Sequence, residues 1–353
     1  MVWFKKIQVS RLVVISIFLL VSFSFILFQR THKLRIFVLH SYNARMQWVK
    51  GLEAGMAQVF DKRHYIDMRY FYMNTKIRHS QSYLKRISRE AYNAIKRFKP
   101  DIIIVYDTNA QKLVATKLAN HPKYKVVVAG VTGSDDLIKF IQANNITGVL
   151  EAIPVKAIRE TLSLMLPKSN RIFYLSDNSV TAQQLDKEVP VANWGRFQLI
   201  AHKRAATFAE WKHAVSMAQS TADVILISTY QIVSKNGKRV PPKKLIAWTM
   251  AHSKIPVIGV YESFINDGGY LAISVASYEQ GYTAAKIALY VLEKKTAITD
   301  IPFIKSQMFQ LQMRKHQVLK HYPGVVIPVI LEAFSKTKWQ VEDLSIKGLP
   351  DKV

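Results

Sequence analysis

The apolar positions of this chain follow two alternating rhythms: short continuous runs rich in β-branched residues, and longer stripes at helical spacing. Leu34 to Leu39 is such a run and predicts a strand, whereas Trp48, Val49, Leu52, Met56, Val59 and Phe60 mark one face of a helix. Ile66, Met68, Tyr70 and Tyr72 alternate as a strand; Leu84, Ile87, Ala91, Ile95 and Phe98 form a second helical stripe, ended by Pro100. Ile102 to Val105, a helix near Ala110 to Leu118, and Val126 to Ala129 complete a first strand–helix series.

After Thr147-Gly148-Val149 the series restarts. Pro154 opens a helix bearing Ile158, Leu162 and Met165, and Pro167 ends it; Arg171 to Leu175 reads as a strand. Phe208, Trp211, Val215 and Ala218 share a helical face, Val224 to Ile227 is a strand, and Pro241-Pro242 starts a helix through Met250. The stretch from Lys254 to Lys295 is central. It reads as a strand (Ile255 to Val260), a turn (Asn266-Asp267-Gly268-Gly269), a second strand (Leu271 to Val275) and a helix with apolar Tyr282, Ala285, Ile287, Ala288, Leu289 and Leu292. Ser277 with Gln280 has the spacing of a capping box. Such alternation predicts an α/β fold with helices on both faces of parallel sheets. Two series without a Pro- or Ser-rich linker predict two Rossmann-like lobes, joined by a multi-strand hinge around a cleft. The glycine-bearing crossing at Gly268-Gly269 is the expected hinge.

Composition narrows the picture. The 353 residues suffice for two domains, and 49% hydrophobic against 21% charged residues allow sizeable cores. The absence of cysteine excludes disulfides, thiolate metal sites, cysteine nucleophiles and a lipid-attachment cysteine. Fifty Lys and Arg against 24 Asp and Glu give +26, which raises the question of nucleic acid. The basic residues are spread along the whole chain with no recognition helix, zinc finger or aromatic RNA-binding signature, so a solvated basic surface is preferred and no nucleic acid is expected.

At the N-terminus Lys5, Lys6 and Arg11 precede an uncharged run from Leu12 to Phe28, followed by Arg30, Lys33 and Arg35. This is an export signal or a membrane anchor. A run of about 17 residues is at the low edge for a spanning helix and longer than a usual signal core. With no A-x-A-like cleavage site after it, an uncleaved anchor in the inner membrane through residues 12–28 is expected.

Open α/β sheets bind ligands beyond the carboxyl ends of their strands. Those positions supply Ser41 and Tyr42, Asp107, Thr108 and Asn109, Thr132, Asp177, Thr229 and Tyr230, and Tyr261 and Glu262. Hydroxyls, amides and carboxylates of this kind suit reversible recognition of a small polar molecule, with Tyr42, Trp48, Tyr230 and Tyr261 as stacking walls. Taken singly, each Ser, Thr, Asp or Asn after a strand is more often a helix cap, His40 a structural histidine and Trp48 a core residue; convergence from both halves favours the site. Catalytic motifs are absent: no G-x-S-x-G, H-E-x-x-H, Walker A or G-x-G-x-x-G. The histidines lack metal-ligand spacing, and a His40–Asp107–Ser41 triad has no support in the spacing. The chain is therefore read as a non-enzyme without cofactor or metal.

In order along the chain stand His40-Ser41-Tyr42, Asn74-Thr75-Lys76, Lys99-Pro100-Asp101, Asn109-Ala110, Ile153-Pro154, Pro256-Val257-Ile258-Gly259, Gly268-Gly269, Ser277-Tyr278-Glu279-Gln280-Gly281 and Asp300-Ile301-Pro302. This order resembles ABC-transporter-type periplasmic substrate-binding proteins related to tryptophan- and tyrosine-binding components, over Leu34 to Tyr322. The resemblance implies the type I periplasmic-binding-protein fold, with residues 1–33 as signal or anchor, residues 34–148 plus 268–296 as one lobe, 149–267 plus 297–323 as the other, and 324–353 as a tail. It implies an extracytoplasmic, periplasm-facing protein that captures a small polar molecule, amino-acid-like compounds being among the candidates, in the interlobe cleft for an ABC permease; the family's ligand identity is not carried over. A sensory ectodomain signalling through a partner and, further off, a membrane-anchored transferase are the alternatives. Two departures bear on the ligand: Asn43 stands where many relatives carry a second histidine, and Tyr230-Gln231 follows Thr229 without an acidic or asparagine group. Glu262 favours a zwitterion or cation over a plain anion.

Overall fold

A computed structural model describes residues 11–31, 33–78, 80–131 and 139–336. The first series builds β1 (Leu34–His40), β2 (Ile66–Tyr72), β3 (Ile102–Tyr106), β4 (Val126–Val131) and β5 (Ile146–Leu150). The second builds β6 (Arg171–Asp177), β7 (Gln198–Ala205), β8 (Val224–Ile227), a small hairpin of β9 (Ser234–Lys235) and β10 (Lys238–Arg239), β11 (Val257–Gly259) and β12 (Leu271–Val275). The chain ends with β13 (Ile304–Lys305) and β14 (Phe309–Met313). Two six-stranded sheets result, ordered β13-β5-β4-β3-β1-β2 and β14-β12-β11-β8-β6-β7. The first is parallel throughout; in the second only β14 runs antiparallel, against β12. In each, strand order reverses beside the lobe's first strand, at β1/β3 and β6/β8, the switch point where such sheets open a crevice.

Both faces of β1, β3 and β4 in the first sheet are buried, which explains their continuous apolar runs, whereas the edge strand β2 alternates. Ile36 and Val38 join one core cluster, Phe37 and Leu39 the other. A third cluster, including Phe173, Trp211, Leu226 and Ile258, fills the second lobe.

The chain changes sheets three times: after β5, after β12 and between β13 and β14. The second change corrects the expected crossing at Gly268-Gly269 and the lobe boundary drawn there. β12 pairs with β11 and β14, so it remains in the second sheet; only the helix Ser277–Glu293 returns to the first lobe, where Ile287, Leu289 and Val291 share a cluster with Leu52. Gly269 packs instead on Phe264, whose ring a methyl group there would meet at 2.1 Å. The predicted capping box is also absent: Ala276 precedes this helix without a side-chain cap, and Gln280 Oε1 accepts the Gly130 N–H at 2.9 Å. Tertiary packing wins over the local motif, because the helix presses against Gln47–Phe60 so closely that a Cβ on Gly55 would lie 2.1 Å from Tyr278 O and one on Gly281 1.9 Å from Leu52 O.

The third crossing is fastened by Glu279. Its carboxylate, 5% exposed, accepts from Ser306 Oγ and from the N–H groups of Gln307 and Met308, the latter two at 2.8 Å. Beyond it the tail packs on the second lobe, with Val325 and Leu331 in its core. Unanticipated are β5, β7, β14, the β9–β10 hairpin and β13; β13 pairs with β5 in the first sheet, which corrects the assignment of all of 297–323 to the second lobe, and β7 is an edge strand that pairs with β6 alone and buries little.

The N-terminal segment forms the helix Arg11–Thr31. Among the described residues no helix is long and apolar enough to cross a membrane. The expected membrane segment is thus not supplied by them.

Candidate ligand-binding cleft

The carboxyl ends of both sheets' strands face one cleft of about 720 Å³, within the range of small-molecule sites. Of the expected residues, Tyr42, Asp107, Thr108, Asn109, Asp177, Thr229, Tyr261 and Glu262 line it. Thr132 lies outside the described residues. Two others do not line it. Ser41 is fully buried, its Oγ donating to the Tyr106 and Asp107 carbonyls and accepting from Ala110 N–H at 2.7 Å; it braces the β1/β3 switch point. Tyr230 is likewise fully buried, its hydroxyl donating to Asp267 Oδ2 at 2.8 Å, so it acts on the cleft only by orienting that carboxylate.

Within the lining, Asp177 is saturated. Its two oxygens accept from Thr229 Oγ1 at 2.7 Å, Ser179 N–H at 3.1 Å and Ile232 N–H at 3.1 Å. It ties two loops of the second lobe together. Asn109 donates to Thr75 Oγ1 at 2.9 Å, and Thr75 in turn to the Ser41 carbonyl, so this first-lobe group is also largely internal.

Asp107 differs. It is 5% exposed, accepts one hydrogen bond on Oδ1 from Trp48 Nε1 at 2.9 Å, and leaves Oδ2 without a partner. Its backbone sits at φ 67, ψ 162, a region held almost entirely by glycine and retained at functional sites when neighbours over-determine it. Here they do: its N–H donates to Ala129 O and its carbonyl accepts from Ser41 Oγ and Gln111 N–H. Trp48, expected in the core, thereby belongs to the cleft wall.

Glu151, immediately after β5 on the first crossing, also lines the cleft. Gly130, at φ +67, separates the two acids: a methyl group on it would lie 3.0 Å from Asp107 Oδ1 and 3.6 Å from Glu151 Oε2. Burial pushes Asp107 up to about 7 despite the Trp48 hydrogen bond and the nearby Lys76 charge. Burial, then repulsion from Asp107, pushes Glu151 up to about 8.

Lys76, from the loop after β2, stands over the Tyr42 ring at 4.7 Å. Burial, with a smaller contribution from Arg239, lowers its pKa against the opposing pull of Asp107, Glu151 and Asp267. Arg239 reaches the lining from the β9–β10 hairpin, whose Asn236 (φ 51) and Gly237 (φ 71) take the left-handed turn conformation. Its guanidinium donates to the Gln231 carbonyl. Tyr42 and Tyr261 complete the wall around Glu151 and are both pushed above the usual phenol range, chiefly by burial.

His40, fully buried, stacks on Tyr72 and Tyr106 at 5.2 and 4.9 Å and is pushed down to about 3 by burial. It is a neutral core histidine. Among the described residues no group of acidic, histidine or cysteine side chains is placed to hold a metal ion.

Two sheets of matching order, each opening its switch point toward one cleft, define a two-lobed binding protein. The chain belongs to the ABC transporter substrate binding protein family, whose family model matches residues 33–335; this extends past Tyr322 into the tail. It is 21% identical over 210 residues to a tyrosine-binding protein of Clostridioides difficile (strain R20291), a match covering 58% of each chain. Among solved structures, it is similar to the ligand-free, open form of a Clostridium difficile substrate binding protein with adhesive properties (TM-score 0.61, 17% identity, 84% of this chain and 96% of that one). A domain from Streptococcus pneumonia in complex with L-Trp gives a TM-score of 0.60 at 17% identity, covering 86% and 99% of the two chains. The structural likenesses show the type I periplasmic-binding-protein fold, and the family model shows a substrate-binding family.

Proposed function

We propose that the cleft captures a small amino-acid-like molecule and delivers it to an ABC permease. The carrying observation is the chemistry of the lining: the acids Asp107, Glu151, Glu262 and Asp267 with the bases Lys76 and Arg239, walled by Tyr42, Trp48 and Tyr261. In a chain of net charge +26 the cleft is locally acidic, which disfavours a plain anion and suits a ligand with an ammonium group. Lys76 and Arg239 offer the complementary charge for its carboxylate, and the aromatic rings suit an apolar or aromatic side chain. The relatives that bind tyrosine and tryptophan support this reading. Lobe closure around the three crossings brings Tyr261 and Glu262 against ligand held by Asp107 and Glu151.

The protein is placed at the extracytoplasmic face. Its N-terminal helix, uncharged from Leu12 to Phe28 in sequence, with Phe18 69% and Leu20 64% exposed, supports a tether to the inner membrane. Isothermal titration with L-tyrosine, L-tryptophan, the other amino acids and polyamines tests the binding role. Tight binding of an amino acid is the expected result, and a preference for polyamines or for no compound in the set overturns it.

A further inference from the structure

Asp107 and Glu151 are too close and too enclosed to behave as independent anions. They flank one glycine, on the floor where the first crossing leaves β5, and the buried Asp107 Oδ2 has no donor. Among the described residues, the groups facing the pair come from several surrounding elements. Trp48 donates from the helix Gln47–Phe60, Tyr42 follows β1, Lys76 follows β2 with Arg239 and Asp267 beside it, and Tyr261, itself near Glu188, follows β11. Gln280 spends its Oε1 on the Gly130 N–H, which fixes the backbone between the acids.

Among the described residues one ammonium, that of Lys76, faces the two carboxylates, and Lys76 is shared with Asp267. Two like charges in such surroundings titrate as a unit that keeps a proton near neutrality. Resting on the reading of the cleft as an amino-acid site, we propose that the ligand's ammonium group replaces a proton held by the Asp107–Glu151 pair. The bound ligand contributes the positive charge, the displaced proton leaves through the cleft water, and the total charge of the floor is unchanged. Capture therefore releases a proton and weakens as pH falls. With Asp107 at about 7 and Glu151 at about 8, the dependence falls between pH ~6 and ~8, and one proton released per ligand corresponds to up to about tenfold in affinity per pH unit.

The test is calorimetric titration of the full chain with L-tyrosine and L-tryptophan at pH 7, in phosphate and in Tris, whose ionisation heats differ widely. The expected result is a buffer-dependent heat corresponding to release of most of one proton, and a Kd that rises between pH 8 and pH 6. In Glu151→Gln, binding at pH 8 is weaker and both the proton release and the pH slope shrink toward zero; Asp107→Asn serves the same comparison if that variant fails to fold. Equal heats in the two buffers with a pH-independent Kd overturn this inference alone. No binding of either probe by the wild-type chain overturns both the inference and the reading of the cleft on which it rests.

Discussion

Asp107 and Glu151 meet across the bare Cα of Gly130, where a methyl group would lie 3.0 Å from one carboxylate and 3.6 Å from the other. One acid comes from the end of β3 and the other from the first interlobe crossing, so a single glycine lets the switch point of the first lobe share a charge site with the hinge. Both carboxyls gain protons relative to their ordinary values, and that has a sign for stability.

Between pH ~4.5 and ~8 the folded chain binds more protons at Glu151 than the unfolded chain does, so the empty protein loses stability at this site as pH rises. Glu151→Gln removes that loss. Its melting temperature at pH 8 is expected to exceed the wild-type value by an amount equivalent to about 1–2 kcal/mol, a discounted share of the full linkage, and the difference is expected to vanish near pH 4.5. Thermal unfolding of both proteins without ligand, across pH 4.5 to 8.5, checks this; a difference that grows toward acid contradicts the raised carboxyl.

Trp48 holds Asp107 by one hydrogen bond of 2.9 Å. Replacement by Phe keeps the ring and deletes the donor, leaving the buried carboxylate with no hydrogen bond on either oxygen. A hydrogen bond to a charged group is worth ~1.5–3 kcal/mol, so ligand affinity in Trp48→Phe is expected to fall about ten- to hundredfold, with Asp107 driven further up in pKa. Titration calorimetry at pH 8 and pH 6 reads the affinity and its steeper loss in acid.

Much of this arrangement is legible in the sequence. Strand ends at Leu39, Val105, Leu175 and Ile227 follow from the apolar runs, within two residues of the observed ends, and eight of the residues chosen by the rule that ligands lie beyond strand ends line the cleft. Glu151 was missed because Gly148 and Thr147 interrupt the apolar run before it; Gly148 is there for close approach, since a Cβ would lie 1.9 Å from Val128 O. Lys76 was missed for a different reason: among 50 basic residues, nothing local marks one lysine as turned into a cleft. Ser41 and Tyr230 were selected by position, yet their side chains turn into the protein, which strand-end position alone does not reveal. The Ser277–Gln280 spacing misled because the helix start is set by packing against Gly51 and Gly55.

The hinge prediction follows the third crossing. Glu279→Ala removes the acceptor for Ser306 Oγ and for the Gln307 and Met308 N–H groups while leaving the cleft lining intact. Losing several hydrogen bonds to a buried carboxylate is expected to cost ~2–4 kcal/mol of stability. The lobes are also expected to sample a wider range of angles in solution scattering without ligand. By contrast Gly269→Val strikes Phe264 inside the second lobe and is expected to destabilise that lobe without altering the interlobe angle.

For the membrane tether, the full chain is expected to sediment with membranes and to resist carbonate extraction, whereas a chain starting at Lys33 stays in the supernatant with its ligand affinity unchanged. Release of the full chain by carbonate, or a mature N-terminus beyond Phe28, rules out a retained spanning helix.

Asp107, just after β3, and Asp177, at the end of β6, stand at strand ends on opposite sides of the switch points of their sheets, and their surroundings assign them opposite work. Asp177 spends both oxygens on Thr229, Ser179 and Ile232, so no lone pair remains well placed for a ligand and its loss unties two loops. Asp107 keeps Oδ2 free, with its backbone in a strained conformation. Truncating a saturated buried carboxylate leaves several donors unpaired at ~1–3 kcal/mol each, whereas neutralising an unpaired one relieves a cost. Asp177→Ala is therefore expected to lower stability by ~2–4 kcal/mol while the folded fraction binds within about threefold of wild type. Asp107→Asn is expected to leave stability at pH 8 unchanged or higher and to weaken binding about ten- to hundredfold, the equivalent of ~1.5–3 kcal/mol. Denaturant unfolding and titration calorimetry on both variants separate the two roles. If Asp177→Ala loses binding and keeps its stability while Asp107→Asn does the reverse, the second lobe and not the first carries the ammonium subsite.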